Sequence, residues 1–123
     1  MNTRRRKGML ARDRGYREEQ VACAYLEQQG LRLVGSNVRN RFGELDLIMQ
    51  EGNCLVFVEV RFRSREEWGG ALASVTPKKQ RRLVRAAQHH LQRQPWPGPC
   101  RIDVVALDPN GTVDWIRNAI EAD

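Results

Sequence analysis

Two alternating runs of apolar and polar positions stand out in "RFGELDLIMQEGNCLVFVEVRFRS", residues 41–64. Gly52-Asn53 suits a two-residue hairpin turn, and residues whose numbers sum to 105 then face each other. Leu45, Leu47 and Met49 meet Val60, Val58 and Val56 on one continuous apolar face. Glu44–Arg61, Asp46–Glu59 and Ile48–Phe57 share the other. A three-residue turn would set Leu45 against Glu59 and scramble both faces, so the pattern selects the first register.

The remaining periodicities are shorter. "YREEQVACAYLEQQG" repeats Val21, Ala22, Tyr25 and Leu26 at helical spacing, with Gly30 as a stop. "LRLVGSNV" is a short strand, and "SREEWGGALASV" a loop with Gly69 and Gly70 as hinges. "TPKKQRRLVRAAQHHLQRQP" predicts a helix capped by Thr76, opened by Pro77 and ended by Pro95. Its apolar face is Leu83, Val84, Ala87 and Leu91. "PWPGP" is a rigid linker, "CRIDVVAL" a strand, "DPNG" a turn and "TVDWI" a short strand closing a second hairpin. The order predicts a small α/β domain with a mixed central β-sheet flanked by helices.

Length allows one core: 123 residues make one domain. No apolar run suits a membrane span and no signal peptide is recognisable, so a cytoplasmic protein without membrane contact is expected. Cys23, Cys54 and Cys100 match neither a zinc spacing nor a paired framework and read as reduced thiols.

Charge divides the chain. Residues 1–17 hold seven Arg or Lys and one Asp, which accounts for the net +6; the other fourteen bases and fourteen acids cancel. Residues 1–15 therefore read as a basic flexible arm and 16–123 as the folded domain. Arg4, Arg5 and Arg6 of the arm suit nucleic-acid phosphates, although such arms also serve solubility. Six Lys or Arg and no acid lie between Pro77 and Pro95. Lys78, Arg81, Arg82 and Arg85 form a stripe opposite the apolar face, with His89 beside them; together with Lys79 they suit a phosphate-facing surface better than mixed solvation.

Asp46 and Glu59 change the picture most. An ionised carboxylate buried without a partner costs several kcal/mol, and the predicted register sets two of them opposite each other. One resolution is a divalent cation between them, since Mg²⁺ takes one or two carboxylates together with phosphate and water. The other is a salt-bridge cluster with Arg61, Arg39 or Arg41.

At these residues the chain resembles the YraN family of small bacterial proteins, and through it the PD-(D/E)xK nuclease superfamily. The similarity covers about Gly15 to Leu107, in "GYREEQVACAYLEQQG", "NVRNRFGELDLI", "LVFVEVRFRS", "VTPKKQRRL" and "RIDVVAL". The resemblance implies a restriction-endonuclease-like fold similar to archaeal Holliday junction resolvases. It further implies an endonuclease using one or two Mg²⁺ or Mn²⁺ ions to hydrolyse phosphodiester bonds in branched or structured DNA. Asp46 falls on the metal-binding Asp, Glu59-Val60-Arg61 on the (D/E)xK element and Glu19 on the acid of the first helix, where Glu18 matches less well by position although helical periodicity alone does not separate the two. Metal ligands would be Glu19, Asp46, Glu59 and the Val60 carbonyl, with Arg61 as the fourth catalytic residue.

Arg61 replaces the motif lysine, and arginine does not readily accept a proton. Either it acts electrostatically, a neighbour such as Lys79 takes over, or turnover is weak or absent. In the last case the protein would be an inactive nuclease fold that binds nucleic acid. A resolvase acting on a four-way junction needs two-fold symmetry, so a homodimer is expected.

Overall fold

The computed structural model describes the backbone of residues 3–63 and 70–121 and the side chains of 15–63 and 70–121. In chain order the elements are α1 (Thr3–Gln28), β1 (Arg32–Asn40), β2 (Gly43–Glu51), β3 (Cys54–Phe62), a 3-10 turn (Ala71–Ser74), α2 (Pro77–Arg93), β4 (Cys100–Leu107) and β5 (Val113–Ile120). The strands form one sheet in the order β1-β2-β3-β4-β5. Neighbours run antiparallel except β3 and β4, which are parallel. A parallel pair needs a long crossover, and α2 lies within it. The expected mixed α/β architecture is present.

The β2–β3 hairpin has the expected register, with Leu47 on Val58, Ile48 on Phe57 and Met49 on Val56. Gly52 has φ +59°, whereas Asn53 stays out of the left-handed region. Those signs match a type II′ turn, whose first central position takes glycine. The β2–β3 pairing ends at Leu47–Val58, and there the alternation fails too. Leu47 and Met49 pack with Ala22 and Leu26 of α1, but Leu45 packs in the cluster of Leu83, Ala86 and Ala87 from α2. The expected continuous face of Leu45, Leu47 and Met49 is thus broken at Asp46.

The sheet separates two apolar clusters, one completed by α1 and the other by α2. Thr76 caps α2 as expected, its Oγ1 accepting the Lys79 N–H at 3.2 Å. On α1, Ala22 and Leu26 are fully buried but Val21 is 50% exposed, so its apolar stripe is narrower than the spacing suggests. Both outer strands are longer than expected. β1 carries a register shift between Leu33 and Gly35, and β4–β5 one between Ile102 and Val104. Asn37 in β1 and Asn118 in β5 adopt positive φ, 52° and 49°, which asparagine tolerates better than most residues. Such irregularities bend an edge strand and blunt it against pairing with other chains.

The α1 backbone passes through residue 15, where a flexible arm was expected to end. Arg, Lys, Leu and Ala are good helix formers, and extending an existing helix avoids a second nucleation cost. The side chains of 3–14, with Arg4, Arg5 and Arg6 among them, lie outside the described residues. Among the described residues no helix is long and apolar enough to cross a membrane.

Candidate functional site

Where the ladder ends, its hydrogen bonding is redirected. The register would next pair Asp46 with Glu59 and then Leu45 with Val60; instead the Val60 N–H donates to Asp46 Oδ2 at 2.9 Å. A side chain has replaced a strand acceptor, which holds the Asp46 carboxylate against the β3 backbone. The Asp46 carboxyl also shares a hydrogen bond with Glu59. The two acids therefore converge as expected, through their side chains at the point where the strands part.

Burial does not favour their charges. Glu59 is 9% exposed. Desolvation, then the charge of Asp46 and the hydrogen bond to it, push the Glu59 carboxyl up to about 8, with Arg61 and Lys79 opposing. Burial also raises Asp46, which the Val60 N–H partly offsets. One proton shared between the two carboxyls accounts for both directions. Arg61 reaches Glu59 only at 3.8 Å, and its Nε is buried without a hydrogen-bond partner among the described residues. Arg39 pairs with Glu44 at 3.3 Å, and Arg41 lies over the Phe42 ring. Neither closes a salt bridge on Asp46 or Glu59.

Asp103 shows what a structural buried acid looks like in this chain. It is fully buried, and Arg101 Nε and Nη2 donate to it at 2.9 and 3.2 Å. Trp115 Nε1 and the Asn118 N–H complete the set at 3.0 and 2.8 Å. Among the described residues Asp46 and Glu59 have no comparable cationic shell, so there the salt-bridge alternative fits Asp103 far better than it fits them.

Glu19 comes to the pair from α1. Burial and then the Asp46 charge raise its carboxyl to about 7, with Asn37 hydrogen-bonding to it and Glu44 and Glu18 adding repulsion. The left-handed Asn37 thus positions the acid of α1 over the sheet. One carboxylate oxygen each from Glu19, Glu44 and Asp46 lies within 4.8 Å of the other two. Glu44 was not among the expected site residues. Its signal was available: it stands two positions before Asp46, and in a strand that spacing places side chains on one face. Val60 enters the site through its N–H.

The basic helix is divided. Lys79 and Arg82 line a cleft of about 140 Å³ with Gly43, Glu44 and Glu59. Arg85 lines a neighbouring depression with Arg41 and Phe42. Arg81 lines another, beside Ile120 and Glu121, which Arg85 also borders. Lys78 is exposed. The site is thus an all-oxygen acidic cluster with two cations in the adjoining cleft. Such hard donors suit Mg²⁺, Mn²⁺ or Ca²⁺ rather than a thiolate-preferring metal.

Relatives agree over nearly the whole length. A UPF0102 protein from Janthinobacterium sp. (strain Marseille) is 53% identical over 108 residues, covering 88% of this chain and 87% of its own. One from Pseudomonas aeruginosa (strain LESB58) is 45% identical over 119 residues, covering 91% and 95%. Among solved structures, Pyrococcus furiosus SfsA in complex with Ca²⁺ shares 14% identity at a TM-score of 0.37. That match covers 85% of this chain but 62% of SfsA, a likeness too slight to bear on the site. Residues 18–107 match the uncharacterised protein family UPF0102, and the chain belongs to that family.

Proposed function

We propose that the protein is a divalent-metal-dependent endonuclease that hydrolyses phosphodiester bonds in branched or structured DNA. The observation that carries this reading is the convergence of Glu19, Glu44 and Asp46, with Glu59 hydrogen-bonded to Asp46, and among the described residues no cationic shell like that of Asp103. Repelling carboxylates held together by the fold are stabilised by a cation, and the donor set fits Mg²⁺ or Mn²⁺. Glu19, Asp46 and Glu59 would hold one or two ions with the Val60 carbonyl, and Glu44 would complete the set. When bound, the cation supplies Lewis acidity towards the phosphate and lowers the pKa of the attacking water.

The chain's own groups have distinct tasks. Arg61 and Lys79 flank Glu59 and would stabilise the charge that develops on the phosphate oxygens. Arg61 occupies the place of the motif lysine and would act electrostatically, since arginine is a poor proton acceptor. The test is incubation of the protein with four-way, flapped, single-stranded and duplex DNA, with and without Mg²⁺ or Mn²⁺. A nick that needs the metal and disappears in Asp46→Asn is expected. Cleavage that survives chelation would overturn the reading.

A second reading rests on Arg61 at the lysine position: a nuclease-like protein that binds DNA and metal without cutting. It predicts metal-induced stabilisation and DNA binding with no nick in any substrate.

A further inference from the structure

The cations of α2 that approach the acids continue beyond them. Lys79, Arg82, Arg85 and His89 are spaced three or four residues apart and form one stripe along the helix. Its first pair lines the acidic cleft. Its second pair lines a depression of about 240 Å³ together with Arg41 and Phe42 from the turn between β1 and β2. That turn is fastened to α2: Asn40 Nδ2 donates to the Ala86 carbonyl at 3.1 Å, and Asn40 Oδ1 accepts the Phe42 N–H at 2.9 Å. The Phe42 and His89 rings meet edge to face with centroids 5.6 Å apart. The depression therefore has one wall of helix and one of turn, with arginines on both.

We propose that this depression and the acidic cleft form a track for a single polynucleotide strand, holding the nucleotides on one side of the bond to be cut. The location of that bond rests on the nuclease reading above; the binding track does not. Arginine forks on both walls match phosphate oxygens. The rings and the Gln88 amide, which also lines the depression, offer contacts to an unstacked base. Lys79 to His89 spans about 15 Å of helix, roughly four nucleotides of one strand at B-form spacing. Arg81 and Lys78 border neither the cleft nor this depression.

The test is binding of a short fluorescein-labelled single-stranded oligodeoxynucleotide to the full chain, in chelator, across a salt series. Arg41→Gln with Arg85→Gln should lower the log–log salt slope by about 1.4, two phosphate contacts at about 0.7 each on single strands. Lys78→Gln with Arg81→Gln should leave the slope unchanged. Arg85→Glu, which leaves the Arg41–Phe42 contact intact, should weaken binding on its own. Equal effects of the two pairs would overturn the track, as would a parent protein that does not bind the strand. A slope difference in a protein that never nicks DNA supports the track and sinks only the nuclease reading. Equal slopes in a protein that does nick sink only the track.

Discussion

Asp103 and Glu59 are both buried acids on the sheet, and their surroundings send them to opposite tasks. Asp103 is surrounded by donors, whereas Glu59 shares a hydrogen bond with another carboxyl. The sign of the pH dependence follows. Glu59 gives up its proton at about 8 and Glu19 at about 7, against an ordinary 4.5. Between these values the folded chain binds more protons than the unfolded chain, so raising the pH favours unfolding. The metal-free protein should be most stable at the acid end of that window and lose stability towards pH 8. Urea unfolding at both ends of the window measures this, and a flat profile would contradict it. Asp46→Asn keeps an oxygen for the Val60 N–H and gives Glu59 an N–H donor. It should therefore raise stability at the alkaline end, on the order of 1 kcal/mol, and remove the stabilisation by Mg²⁺ that the proposed function expects of the parent. A loss of about 3–5 kcal/mol, with no metal effect on the parent, would mark a structural ion cluster instead. At the neighbouring position, Arg61→Lys should retain or raise cleavage and Arg61→Ala should abolish it. Full cleavage by Arg61→Ala would show that this position does not do the work of the motif lysine.

Helix α2 contributes its N-terminal turn to the site, so its cap is coupled to function. Thr76→Ala removes the acceptor for the Lys79 N–H and should cost about 1 kcal/mol in thermal unfolding. The cap was legible in "TPKK", as the β2–β3 register was in "GELDLIMQEGNCLVFVEV". Both depend on short-range rules, a side-chain oxygen before a proline and strict alternation around a glycine turn. What was not legible depends on contacts between distant segments. Leu45 leaves its expected face where Asp46 accepts the Val60 N–H, a contact that alternation cannot anticipate. The division of the basic stripe needed the Asn40–Ala86 contact, 46 residues apart in sequence. Glu44 fell between: its face was readable, but its nearness to Glu19 depends on how α1 lies over the sheet. The last strand ran past its predicted end because Asn118, in the left-handed region, lies where pairing resumes beyond a register shift.

Across the molecule, the acids and their counter-charges belong to parts that assemble over different spans of chain. Asp46 and Glu59 sit on one hairpin, whereas Lys79 arrives with the crossover that joins the parallel strands β3 and β4. Hairpins form in about 1–10 µs, while the parallel pairing must wait for a much longer loop to close. The chain thus meets its carboxylate repulsion early in folding and gains the opposing lysine late. Refolding of the metal-free protein should accordingly accelerate as the pH falls towards the ordinary carboxylate range, and Asp46→Asn should remove much of that acceleration. Stopped-flow refolding across the pH series would show it; equal pH dependence in parent and variant would mean that the two acids meet only after the rate-limiting step. If a divalent ion binds there as proposed, the same arrangement would make it a kinetic aid too: present during refolding, it would relieve at the hairpin stage a repulsion that the polypeptide balances only at the end.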